Sequence, residues 1–204
     1  KKEGQYELGS YEVNKLRFYL ELPSGTEFVE CAAPPTGSWH HLAATYDGAR
    51  MRLFVNGKVT ASKAASGEIR KHASPLRIGA RLGGESKFYD GLLDDVRIYQ
   101  RALGEAELAA LARRETPEGL LIGHWRLDET ADTVAYDSSG HGNHGRVSGG
   151  VWVKGRLGGA VASAKKELSL TVYQPADGSP ADVVDFAQVW GSAAQEPAVG
   201  FACA

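Results

Sequence analysis

Residues 38–48 read Ser38-Trp39-His40-His41-Leu42-Ala43-Ala44-Thr45-Tyr46-Asp47-Gly48, and Leu53-Phe54-Val55-Asn56-Gly57-Lys58 follow shortly after. Asp47-Gly48 turns the chain into an apolar run, Met51 to Val55. Asn56-Gly57 then gives a strong short hairpin signal, because both residue types tolerate positive φ. Val59 and Thr60 start the return strand. Upstream, Leu16, Phe18, Leu20 and Leu22 alternate with Arg17, Tyr19 and Glu21, the period-two pattern of a strand with one buried face. The break at Pro34-Pro35-Thr36-Gly37 separates these strands, and residues 75–79 and 91–99 supply two more.

A helix is expected from Glu105 to about Arg114. Leu108 and Leu111 fall at helical spacing, Glu105 and Glu107 sit in the first turn where the dipole favours them, and Gly104 is the N-cap. Thr116-Pro117-Glu118-Gly119 reads as a linker. A new strand covers 120–127, and a loop rich in Asp, Ser, Gly, His and Asn runs from Asp137 to Gly145. Short strands are expected near 151–153, 168–172 and 183–189, with a loop at 174–180 and no recognisable element past Gly191.

The bulk properties fit this reading. The chain has 204 residues, 43% of them hydrophobic, enough for one large β-sandwich or two small domains. Its 25 glycines suit many tight turns. A formal net charge of −2 gives no electrostatic case for nucleic acid, and no apolar run reaches the roughly 18 residues that span a bilayer. The first ten residues carry no apolar signal-peptide core. Cys31 and Cys203 are either two unrelated thiols or one disulfide tethering the C-terminus in an oxidising compartment.

The blocks at 38–48 and 53–58 resemble the central hairpin of laminin-G-like domains. Gly91-Leu92-Leu93-Asp94-Asp95-Val96-Arg97-Ile98-Tyr99-Gln100-Arg101-Ala102-Leu103 is similar to that family's last strand, and Glu105-Ala106-Glu107-Leu108 to its short terminal helix. Further on, Gly123-His124-Trp125-Arg126-Leu127-Asp128-Glu129-Thr130 resembles the opening strand of such a domain. Asp137-Ser138-Ser139-Gly140-His141-Gly142-Asn143-His144-Gly145 resembles its glycine-rich loop, and Gly155-Arg156-Leu157-Gly158-Gly159-Ala160-Val161 the stretch after it. The resemblance implies an all-β, concanavalin A-like two-sheet β-sandwich jelly roll with one short helix.

The order is inverted: a tail half at 1–115 and a linker at 116–119 precede a head half at 120–204. Either the segment cuts across a tandem array, or the halves combine into one jelly roll. Combination is possible within one chain as a permutation, or between chains head to tail. Sandwich termini lie close together and unfinished sheet edges seek partners, so combination is the favoured expectation.

Calcium wants six to eight hard oxygens on a tightly turned loop. Asp137 and Asn143 in the glycine-rich loop are the candidate ligands, and the resemblance implies help from Asp94 or Asp95 on the last strand. The competing reading is a loop held by Asx-turns, with Asp94 paired to arginine. His141 and His144 have no third ligand at sensible spacing and read as solvated. Arg97 reads as a buried partner of Asp128, or alternatively as a ligand contact. Trp39 and Trp125 are assigned to the core, whereas Trp190, Tyr173 and Tyr19 are candidates for an exposed sugar-stacking platform.

An alternating Glu-x-Asp-x-Glu strand would bring two carboxylates to one face about 5 Å apart, as a retaining glycosidase requires. Asp94-Asp95 and Asp128-Glu129 are adjacent pairs that point to opposite faces. The expectation is therefore a non-catalytic, secreted or cell-surface module binding glycan or glycoprotein with calcium. The alternatives are a structural subunit assembling head to tail and an accessory domain of a glycan-degrading enzyme.

Overall fold

The computed structural model describes residues 6–10, 14–71, 74–80, 88–113, 115, 121–163 and 168–172, and the backbone of 185–187, 189–193 and 202–203. Its first nine strands are β1 (Tyr6–Ser10), β2 (Lys15–Leu22), β3 (Gly25–Ala32), β4 (His40–Tyr46), β5 (Arg50–Val55), β6 (Lys58–Ala64), β7 (Leu76–Ile78), β8 (Gly91–Asp94) and β9 (Val96–Tyr99). Helix α1 (Glu105–Ala112) follows. Then come β10 (Leu121–Trp125), β11 (Val134–Ala135), β12 (Gly145–Ser148), β13 (Gly150–Lys154), β14 (Gly159–Ser163), β15 (Ser169–Val172), β16 (Asp185–Ala187), β17 (Val189–Ala193) and β18 (Ala202–Cys203).

The fold is the expected all-β sandwich, with its antiparallel ladders divided among four sheets. The largest runs β13-β14-β8-β17-β4-β5-β6; two four-stranded ladders run β18-β1-β2-β3 and β11-β12-β15-β7; a short one runs β10-β9-β16. Alternation in β2 puts Leu16, Phe18, Leu20 and Leu22 in the core and turns Lys15, Arg17, Tyr19 and Glu21 outward. They meet Leu42, Ala44 and Tyr46 of β4, Met51 and Leu53 of β5, and Leu93 of β8 in one continuous cluster. Trp125, Val147, Val161 and Leu170 enter the same cluster from the second half of the sequence. Burying each such large apolar side chain contributes roughly 1.5–3 kcal/mol.

Strand β4 is buried on both faces, because helix α1 covers the side facing away from that core. Ala43 and Phe54 point there and pack with Tyr99, Leu103, Leu108 and Leu111. The helix sits so close to the Asn56-Gly57 hairpin that a Cβ on Gly57 would lie 2.8 Å from the Ala109 Cα, and Gly57 has φ +76°. That glycine answers both the turn and the helix contact. Glu107 closes the helix start by accepting the Gly104 N–H at 2.8 Å, and Arg101 grips the same carboxylate.

Two expectations are corrected. Residues 91–99 are not one strand: Asp95, at φ +54°, breaks them into β8 and β9, which lie in different sheets. Trp39 is half-buried rather than a core residue, whereas Trp125 is 1% exposed as expected. Cys31 is a free thiol, and the side chain of Cys203 lies outside the described residues.

Candidate functional site

The polar chemistry of the molecule collects where β8 passes into β9. At the end of β8, Asp94 is fully buried. Its Oδ2 accepts the backbone N–H groups of Arg156 at 2.7 Å and Leu157 at 2.8 Å. Its Oδ1 has no hydrogen-bond partner among the described residues. Just after β10, Asp128 accepts the Gly159 N–H at 2.6 Å. Two carboxylates from distant segments therefore clasp one turn, residues 155–159, between β13 and β14. Only glycine fits there: a Cβ on Gly155 would strike the Gly159 carbonyl, and one on Gly158 would strike the Asp128 carboxylate. Burial first, and then the neighbouring charges of Asp95 and Asp128, push the Asp94 carboxyl up to about 6 against the pull of the two N–H groups.

Asp95 turns the opposite way into a buried polar group. Its Oδ1 lies 2.6 Å from His124 Nε2 and accepts from Arg97 Nε at 3.1 Å. Both donors aim at one oxygen, so the 3.2 Å approach of Arg97 Nε to His124 Nε2 is the by-product of sharing that acceptor. Burial would raise the Asp95 carboxyl, but the His124 hydrogen bond and the Arg97 charge outweigh it and hold it below the usual carboxylate range. Burial raises the pKa of the nearby Tyr99 hydroxyl, which has no hydrogen-bond partner among the described residues, and the Arg97 charge opposes that rise. Nearby, burial pushes the fully buried His41 imidazole down to about 4, which keeps it neutral at physiological pH.

The glycine-rich loop is held from within. Asp137 Oδ1 accepts from the backbone N–H of His124 and of Ser139, each at 2.9 Å. Its Oδ2 accepts from the Ser139 hydroxyl at 2.8 Å and the Asn143 N–H at 2.9 Å. Burial opposes ionisation there, and these donors together hold Asp137 below its ordinary value. Asn143 donates its side-chain amide N–H to the Ile122 carbonyl, while its backbone carbonyl accepts the Trp125 indole N–H at 2.8 Å. His144 Nδ1 accepts the Asp137 N–H, and its ring meets Tyr136 edge-on.

Of the four residues singled out as metal ligands, Asp94 alone keeps a buried oxygen without a partner; Asp95 and Asp137 are committed to internal donors. Among the described residues, no three His, Cys, Asp or Glu side chains converge on a point suited to a metal ion. Arg97 pairs with Asp95 rather than with Asp128. Tyr19 faces outward and donates to Glu21, while Tyr173 and the side chain of Trp190 lie outside the described residues. Sequence reasoning passed over Asp128 as an acceptor for the turn. The signal was present in the spacing of Gly155, Gly158 and Gly159.

Residues 1–109 match the family model of the concanavalin A-like lectin/glucanases superfamily, in its laminin-G form. The chain belongs to this superfamily. Its name joins sugar-binding lectins with sugar-cleaving glucanases, so membership supports a domain of carbohydrate-binding type. No curated protein and no solved structure matches the chain. Among the described residues, no helix is long and apolar enough to cross a membrane.

Proposed function

We propose that this concanavalin A-like domain is a non-catalytic, extracellular binding and adhesion module, which takes a glycan or glycoprotein with the help of calcium. The observation that carries the calcium part is the bare, buried Asp94 Oδ1, with the Asp128 carboxylate clasping the same turn. Buried Asp94 is opposed by the charges of Asp95 and of the exposed Asp128, and a divalent cation would reverse that penalty. Asp94, Asp128 and backbone carbonyls of the surrounding turns would hold the ion. Calcium would supply a fixed positive charge at the loop end of the sandwich, able to accept sugar hydroxyl oxygens. The Asp137 loop acts as a brace for β10 in this reading, not as a ligand.

The non-catalytic reading is supported by how the carboxylates are used. Asp94, Asp95 and Asp137 are each buried and bonded to this chain's own donors, whereas a retaining glycosidase needs two acids facing a sugar about 5 Å apart. The test combines calcium calorimetry with glycan-array binding. Wild type should take up one calcium per chain and retain glycan only with calcium, and Asp94→Asn should lose both. Glycan retention that survives chelation would remove calcium from the proposal. No retention on any glycan would remove the binding function itself.

A further inference from the structure

Asp94 reaches the Arg156 and Leu157 N–H groups from the last residue of β8, and the chain leaves that strand through Asp95 at φ +54°. A residue other than glycine occupies this left-handed region at a cost, and stays there only where its surroundings fix it. Two buried side chains do so. His124 Nε2 donates to Asp95 Oδ1 at 2.6 Å, and Arg97 Nε donates to the same oxygen at 3.1 Å. Arg97 lies two residues along the same segment, on β9, so it moves with Asp95. His124 comes from β10 and is the anchor from outside that segment.

The anchor is itself made fast. The His124 N–H is taken by Asp137 Oδ1 at 2.9 Å, and its carbonyl accepts the Ser138 N–H at 2.7 Å. The β9–β10 ladder sets His124 opposite Arg97 and Trp125 opposite Val96, which brings the imidazole beside the break between β8 and β9. The Asp95 N–H reaches the Arg126 carbonyl at 3.4 Å on the same segment. On the other side, the pairing of β8 with β17 stops at Asp94 opposite Trp190. The peptide between Asp94 and Asp95 is planar, so a fixed rotation at Asp95 fixes the plane that ends β8. The direction of the Asp94 side chain follows from that plane.

We infer that His124 is a positioning residue for the Asp94 carboxylate: by gripping Asp95 it fixes the break between β8 and β9, and so holds Asp94 on the Arg156 and Leu157 N–H groups. The glycine-rich loop, through Asp137, acts on Asp94 at one remove. The consequence for ligand uptake rests on the reading of Asp94 as a calcium ligand, whereas the placement of its carboxylate does not.

Amide hydrogen exchange on the full-length protein in chelator supplies the test. The Arg156 and Leu157 amides report on Asp94, the Gly159 amide, bonded to Asp128, is a control in the same turn, and the β4–β5 amides report overall stability. His124→Phe keeps a ring and removes the donor to Asp95. Exchange at Arg156 and Leu157 should quicken roughly tenfold or more, as loss of a hydrogen bond to a charged acceptor warrants, with Gly159 and β4–β5 changing far less. His124→Gln, whose amide N–H can serve Asp95, should restore most of the protection. Equal quickening at all these amides overturns the inference, because general destabilisation gives the same. No change at Arg156 and Leu157 also overturns it, since the β8–β17 ladder alone would then hold Asp94. If the Phe variant does not fold, Asp95→Gly takes its place: glycine adopts φ +54° without strain, and only the side-chain anchor is lost. Calcium calorimetry on the same proteins separates the two readings. No uptake by wild type removes the calcium proposal, and the amide pattern still decides the placement of Asp94.

Discussion

Replacing Asp94 by Asn should stabilise the protein at neutral pH, although it removes a buried group that makes two hydrogen bonds. The amide keeps an oxygen for the Arg156 and Leu157 N–H groups and carries no charge, so it imitates the protonated acid. Burial and two nearby carboxylates lift the Asp94 carboxyl from 3.8 to about 6 in the folded protein. An acid whose folded pKa is raised destabilises the fold once it must ionise. The cost is absent below the unfolded value of 3.8, grows as pH rises between 3.8 and about 6, and is complete above that. At about 1.4 kcal/mol per pH unit, the full cost approaches roughly 3 kcal/mol. In chelator, urea unfolding of both proteins between pH 3.5 and 8 should give matched midpoints at the acid end and a widening lead for the variant towards pH 7. Subtracting the two curves cancels the titrating groups that do not interact with Asp94, leaving its own contribution and that of its coupling to Asp95 and Asp128. A variant that is less stable at pH 7, or a gap that ignores pH, would refute the account of Asp94 as a strained carboxylate.

Two further outcomes follow from the polar contacts. Asp137→Ala strands four donors, those of His124, Ser139 (two) and Asn143, around a buried site. It should cost on the order of 3 kcal/mol or more in chemical denaturation; a loss under 1 kcal/mol would mean that the loop is held by something else. Glu107→Gln should cost about 1 kcal/mol at pH 7, because the cap to Gly104 and the grip of Arg101 sit at a partly solvated helix end. The Arg101 hydrogen bond, then the Gly104 N–H, depress Glu107 from 4.5 to about 2, so this contribution is present above 4.5 and fades as pH falls towards 2. A thermal-melt difference that is flat from pH 2 to 7 would contradict it.

Much of the fold was legible because strands with one wet face announce themselves. The Leu16–Leu22 alternation and the Asn56-Gly57 hairpin reappear as β2 and the β5–β6 turn. Helix α1 begins at Glu105 as read, and ends at Ala112, two residues short of the expected limit. Less legible were elements whose residues carry no period. Strand β14, Gly159–Ser163, is made of small residues, and β12 lies at the end of what reads as a loop. The split at Asp95 was hidden because 91–94 and 96–99 are both buried strands that read as one run. At the candidate site the carboxylates themselves were visible, and their partners were not. Asp94 is served by backbone 62 and 63 residues away, and backbone donors leave no mark on side-chain identity.

The flanking of β8 and β9 by later strands also bears on how the protein is made. A chain leaving the ribosome at roughly 5–20 residues per second exposes these apolar strands several seconds before β10 and β14 exist to pair with them. During that interval Leu93, Val96 and Ile98, all buried in the finished protein, face water or whatever nascent neighbour is near. Long sequence separation of this kind slows folding, because loop closure precedes any gain from the contact. Synthesis rate, polysome crowding and chaperone supply therefore bear on whether each chain completes itself.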